Sequence, residues 1–450
     1  MQLTPNIKKW QIDWNNINNI TNRYEDYHVF YIKENDLRDE ANWFIHYYLP
    51  KDTLEFSEKQ FDTLLEKLYI LNNIILKKVV YNIMLNPDKN LTKLLFSEDV
   101  QSVLKYSYFK NTINNYNDIQ LSYFWRYDLL LDKNNNVKIV ELNSETPAWM
   151  PESMSNIDCV TPFINFKEWI VDANNMMEEN IKQSIYKSIL WKNISNDKNL
   201  LIVFWAEKSE DGHLNDEFED YTNVKHLTAY LKRQFPEINI KLAAIDDIEL
   251  KSDWIYYFDS NTNSSIKQDY IWSFYPLEWL FIDNGWSDFW ELYKNNKFDI
   301  INSPLNLITQ NKMFWAYIYE DIIGNNILTE DEEILIKELT PVSSYINKEW
   351  FIKKPLLYRE WIWIDDETYI WDAVYQEKID QQQLFLDTFY WKDWKNSFIA
   401  DDYWLQPWYM TLWIYYWEIW YLWVYNRFCE NFITDDTSYY VPTYIRLDNN

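Results

Sequence analysis

Residues 125–152 read WRYDLLLDKNNNVKIVELNSETPAWMPE, two apolar-rich runs on either side of three consecutive asparagines, Asn134, Asn135 and Asn136. The pattern predicts strand, turn, strand. A turn at Asn134-Asn135 pairs Arg126 with Asn143 and Asp128 with Glu141. Because side chains alternate with period two, these four polar groups then share one face. Two carboxylates and an amide oxygen are hard donors of the kind Mg2+ prefers, and a neighbouring Arg can clamp phosphate oxygens. A solvated strand face with cross-strand charge pairs would show the same pattern.

On the N-terminal side, apolar spacing at 55–84 and again at 92–106 predicts that residues 1–110 are mainly helical. On the C-terminal side, a helix is expected from about Phe166 to Leu190, followed by the buried strand NLLIVFWA. The helical FEDYTNVKHLTAYLKRQF and the strand-like INIKLAAI and WIYYFD complete a βαβ pattern between about 199 and 260. Helices are expected at Leu277–Lys294 and Lys312–Ile323, then a strand-rich C-terminal third. The expected organisation is therefore 1–110 helical, 111–195 carrying the hairpin, 196–305 carrying the βαβ region, and 306–450 as a second β-rich part. The fold class is α+β.

The chain has 450 residues, with 3 Gly and 26 Trp. Ordinary usage is about 7 % Gly, roughly 30 residues at this length, and the two counts together fall on that value. Turns need positive φ that Gly supplies cheaply. The counts therefore predict that many printed Trp stand where the native protein has Gly, as when a UGA codon is read as glycine; the alternative is a truly Trp-rich protein. Eleven Trp lie between Trp361 and Trp423, as a Gly-rich β region would look after miscoding. Read that way, the hydropathic stretch Trp408–Tyr425, which carries Glu418 at mid-length, is two strands around a turn and not a membrane span.

A formal net charge of −28 argues against a nucleic-acid surface and welcomes a cationic substrate. Cys159 and Cys429 build no metal knuckle, and His28, His46, His213 and His226 have no metal-ligand spacing. The opening MQLTPNIKKW lacks the apolar core of a signal peptide. A cytoplasmic protein with no membrane and no nucleic-acid partner is expected.

RYD followed by ELNSETP resembles the glutathionylspermidine synthase family of ATP-grasp carbon–nitrogen ligases. FYPLEW, NLITQNKMFW, FIKKPLLYREWIWI, VYQEK and FITDDTSYYVPTYI resemble further motifs of that family, in the same order. The resemblance covers about 120–445 and implies an ATP-grasp fold with an associated pre-ATP-grasp βαβ unit. It also implies ATP and Mg2+ as cofactors. Arg126 resembles an ATP-contacting Arg, and Asp128, Glu141 and Asn143 resemble Mg2+ ligands. Lys312 and Lys354 resemble lysines that grasp phosphates, with Arg359 opening what becomes a small-residue loop if Trp361 and Trp363 are read as Gly, and Gln376 and Glu377 at the adenine edge. Glu278 resembles an amine-binding carboxylate. Thr146 resembles one hydroxyl of the glutathione loop, where Ala148 replaces a second. Arg427 aligns with the catalytic Arg of acyl transfer when counted back from ITDD, whereas a forward count from Trp417 lands near Tyr425.

The implied activity joins a glutathione-like peptide carboxylate to a primary amine, such as a polyamine, through an acylphosphate. The alternatives are a non-catalytic aromatic-rich carbohydrate-binding protein, a degenerate ligase and a two-carboxylate glycosidase.

Overall fold

In the computed structural model the described residues are 1–9, 52–121, 124–145, 170–191, 194, 198–205, 219–259, 262–283, 286–357, 372–389, 403–417, 420–429, 439–440 and 443–447. They form a mixed α and β architecture with five sheets.

The sheet that holds the hairpin is antiparallel and runs Tyr439–Tyr440, Trp420–Cys429, Tyr403–Trp417, Trp125–Leu131, Val137–Asn143. The 15-residue strand Tyr403–Trp417 is its spine. Its first half pairs with Gln383–Phe389 and its second half with Trp125–Leu131. Trp417 pairs with Trp420 on the next strand, so the described residues of the Trp408–Tyr425 stretch lie in two paired antiparallel strands.

The Trp125–Leu131 and Val137–Asn143 strands pair Arg126 with Asn143 and Asp128 with Glu141, the expected register. The route to it differs from the expected two-residue turn. Asp132 Oδ1 accepts from the backbone N–H groups of Asn134 and Asn136, and Asn135 turns the chain at φ 62°. That larger loop alone would shift the strands by one residue. A bulge at Val140 takes up the difference, since Asp128 faces Glu141 while Leu129 faces Ile139.

A long helix, Glu58–Leu85, backs the hairpin. It is long and apolar enough to cross a membrane, yet Phe61, Leu64, Leu68, Leu71, Ile75, Val79 and Ile83 are buried in the protein core. Its turn Leu71–Leu76 is π-helical and carries Asn72, whose Oδ1 accepts from the Tyr127 hydroxyl at 2.6 Å. Tyr127 lies between Arg126 and Asp128, so its anchoring in the helical layer turns those two toward the opposite face.

A parallel sheet orders Asp299–Ile300, Tyr270–Ser273, Asn199–Phe204 and Asn239–Ala244, with the helix Glu219–Gln234 as a crossover. The strand Ile255–Asp259 does not extend it. That strand belongs to a separate antiparallel sheet with Ile248–Leu250 and Ser264–Lys267. Of the helix expected from about Phe166 to Leu190, residues 166–169 lie outside the described residues, Ile170–Asp172 is a strand, and the helix is Met177–Trp191. The Leu277–Lys294 segment holds a short turn, Trp279–Phe281, and the helix Ser287–Lys294.

One backbone conformation bears on the Gly and Trp counts. Trp350 has φ 70°, in the left-handed region, and is 77 % exposed. A bulky side chain there is strained, with no burial to offset it.

Candidate active site at the hairpin face

Three elements converge on the outer rungs of the hairpin. The hairpin itself supplies Arg126, Asp128, Glu141 and Asn143. The link between the helices Asn306–Gln310 and Met313–Tyr317 supplies Lys312, and the strand Phe351–Pro355 supplies Lys354. Local chemistry fixes each carrier. Asn311 Oδ1 accepts from Met313 N–H and caps the helix start, while Asn311 Nδ2 reaches Leu94 O in the helical layer. The Lys312 backbone N–H donates to Leu356 O at 3.0 Å, tying the two lysine-bearing segments together.

The Arg126 guanidinium makes a two-pronged pair with Asp128, Nε to Oδ1 at 2.8 Å and Nη2 to Oδ2 at 3.1 Å. Its other side lies 4.0 Å from the centre of the Trp413 ring. Asn143 Nδ2 donates to Asp128 Oδ1 at 3.4 Å. Lys312 Nζ lies 3.1 Å from Glu141 Oε1. Lys354 Nζ donates to Val140 O at 3.0 Å, which is the carbonyl of the bulge residue. The bulge therefore does two things: it restores the register at the polar face and presents a carbonyl to the buried ammonium.

Asp128 and Lys354 are deeply buried at 2 % exposure, Lys312 and Asn143 are buried, and Arg126 and Glu141 are half-buried. Burial pushes the Lys354 ammonium down to about 8, helped by Lys312 and opposed by Glu141 and Asp128. Burial also raises Asp128, and the Glu141 charge adds to this against the pull of Arg126. For Glu141 the penalty of burial is outweighed by Lys312, Lys354 and Arg126, which hold it below the usual carboxylate range. Three cations thus meet two carboxylates, a local positive excess in a chain of net charge −28. Such a cluster favours an anionic ligand. Asp128, Glu141 and Asn143 on adjacent rungs also match the oxygen donor set of a hard divalent cation.

Gln376 is buried within the small sheet of Ser343–Ser344, Ala373–Glu377 and Phe351–Pro355, opposite Ile352. Glu377 is exposed, and its carboxylate accepts from Val342 N–H at 3.3 Å, tying down a strand end. Glu278 is buried at the start of the Trp279–Phe281 turn, where its carbonyl accepts from Phe281 N–H. Arg427 lies on the rung of Thr411 and Leu130. Tyr425 lies on the rung of Trp413 and Asp128, two residues or about 7 Å further along the strand. Thr146 and Arg359 lie outside the described residues.

Sequence reasoning missed Gln310, two residues before Lys312. It is 3 % exposed, accepts from Ser144 N–H at 2.8 Å through Oε1, and places Nε2 3.5 Å from Asn143 Oδ1. Its only signal was its place inside the NLITQNK motif.

No curated protein matches the chain in sequence. The crystal structure of a candidate γ-glutamylcysteine synthetase from Methylobacillus flagellatus KT is similar over 83 % of this chain and 86 % of that one, with 11 % identity and a TM-score of 0.39. The family model described as glutathionylspermidine synthase preATP-grasp matches residues 20–409. With most of its length inside that match, the chain belongs to the glutathionylspermidine synthase family.

Proposed function

We propose that this protein is an ATP- and Mg2+-dependent ATP-grasp ligase that joins a peptide carboxylate to a primary amine. The observation that carries this reading is the convergence of Lys312 and Lys354, from separate elements, on a hairpin face holding Arg126, Asp128, Glu141 and Asn143. In this reading a carboxylate oxygen of the acid attacks the γ-phosphorus of ATP, and the bond to the ADP oxygen breaks. Lys312, Lys354 and Arg126 neutralise charge on the transferring phosphoryl group. The amine nitrogen then attacks the acyl carbon, phosphate leaves with the acyl-bound oxygen, and the nitrogen loses a proton to give the amide. Mg2+, held by Asp128, Glu141 and Asn143, would supply further charge neutralisation when bound. Glu278 would pair with the ammonium end of a polyamine, Thr146 would meet the peptide, Arg359, Gln376 and Glu377 would line the nucleotide site, and Arg427 would stabilise the acyl intermediate. The cytoplasm, with its ATP and peptide thiols, fits this chemistry.

We also infer glycine at Trp350 and at Trp361 and Trp363, which lie outside the described residues, with true Trp at Trp413. The positive φ of Trp350 supports the first, and the seating of the Trp413 ring under Arg126 supports the last. Masses of native peptides covering these positions test this.

The activity test is ADP release with Mg2+, ATP, glutathione-like peptides and polyamines. ADP formed only when both acid and amine are present supports the reading. Failure to bind ATP in the presence of Mg2+ would remove it.

A further inference from the structure

We propose that Gln310 is a positioning residue that fixes the orientation of the Asn143 carboxamide and so sets the affinity of the metal site, an inference that rests on the ligase reading above. A carboxamide has two faces that look alike in shape and differ in chemistry, one accepting and one donating. Gln310 Oε1 is committed to Ser144 N–H at 2.8 Å, the backbone group just past the end of the hairpin strand. A backbone N–H cannot exchange roles, so Gln310 must present Nε2 on its other side. That side lies 3.5 Å from Asn143 Oδ1.

The choice then passes to Asn143. With Oδ1 drawn toward a donor, its Nδ2 points at Asp128 Oδ1, 3.4 Å away, where a carboxylate needs a donor. The reverse orientation would set the amide oxygen against the carboxylate and two amino groups against each other. One fixed donor, Ser144 N–H, thereby dictates the sense of a chain that runs through Gln310 and Asn143 to Asp128. A carbonyl oxygen has two lone pairs, so Oδ1 can hold Nε2 with one and still offer the other to a cation. Gln310 and Asn143 are both buried, which shields the chain from water that could substitute for a missing partner.

Ser144 strengthens the anchor on the same helix. Its hydroxyl donates to Asn306 O at 3.1 Å and accepts from Thr309 Oγ1 at 2.9 Å. The helix Asn306–Gln310 is thus stitched to the end of the hairpin strand at several points, and the link that follows it carries Lys312.

A double-mutant cycle on Mn2+ binding tests the inference, read by electron paramagnetic resonance of free Mn2+ with the full chain and ADP, the Mn2+ taken up by the same ADP without protein being subtracted. Gln310→Met keeps the side-chain length and removes both donor and acceptor. Groups that orient metal ligands are typically worth about 10–100-fold in metal affinity, so Gln310→Met should weaken Mn2+ binding about tenfold or more. In an Asn143→Ala background the same change should cost less than about twofold, because the residue through which Gln310 acts is gone. Thermal midpoints of all four proteins separate this from a purely structural role, since loss of the Ser144 anchor lowers stability in both backgrounds. If Asn143→Ala does not fold, Asn143→Leu, which keeps the side-chain shape and offers Gln310 no acceptor, closes the cycle. Equal losses of Mn2+ affinity in both backgrounds, or none in either, would overturn the inference while leaving the metal site standing. No Mn2+ uptake by the unmodified protein would overturn the metal site and the inference with it.

Discussion

Replacing Lys354 with Met removes a charge that the folded protein holds at a cost. An ordinary lysine titrates at 10.5 and Lys354 at about 8, and at about 1.4 kcal/mol per decade the charged form costs the folded state about 3 kcal/mol at pH 7. The side chain is fully buried, so solvent screening does not reduce this figure. Met also leaves the Val140 carbonyl without its 3.0 Å donor, a loss of about 1–3 kcal/mol. Lys354→Met should therefore be more stable than the parent at pH 7 by about 1 kcal/mol, while nucleotide affinity falls about 10–100-fold with the loss of a charged hydrogen bond. The pH dependence has a definite sign. Between pH 8 and 10.5 the unfolded chain keeps a proton on Lys354 that the folded chain has released, so the parent gains stability as pH rises through that window. The variant lacks this gain, so its advantage should shrink above pH 8, reverse near pH 9 and become a deficit of about 2 kcal/mol by pH 10.5. Urea unfolding of both proteins at pH 7, 9 and 10.5, without nucleotide, measures the difference. A variant less stable than the parent by more than about 2 kcal/mol at pH 7, or a difference that does not change with pH, would refute the reasoning.

Trp350→Gly should raise stability by about 1 kcal/mol, since a side chain at φ 70° is strained and this one is exposed; a drop in the unfolding midpoint would contradict this. Tyr127→Phe strips the donor from buried Asn72 Oδ1 and should cost about 1–3 kcal/mol in chemical denaturation. An unchanged stability would show that the π-helical turn does not anchor the hairpin.

The hairpin pairing was legible because alternation along Trp125–Leu131 and Val137–Asn143 leaves few registers that keep Arg126, Asp128, Glu141 and Asn143 on one face. The turn was misplaced because the Val140 bulge and the Asn135 loop offset each other, and neither leaves a pattern in residue type. Parallel and antiparallel strands share one apolar signature when short, so Ile255–Asp259 was joined to the wrong sheet. The approach of Lys312 and Lys354 to Glu141 spans long sequence distances, and only the order of motifs pointed to it. Gln310 was invisible for a plainer reason: an uncharged polar residue declares its role only through its partners.

In the proposed ligase reaction this face activates a carboxylate as an acylphosphate. Trapping with hydroxylamine tests it most directly, because hydroxylamine captures an acylphosphate without the native amine. With Mg2+, ATP and a glutathione-like peptide, the account predicts peptide hydroxamate and ADP in equal amounts, both lost on chelation of the metal. ADP without hydroxamate would mean simple ATP hydrolysis, and would contradict the account.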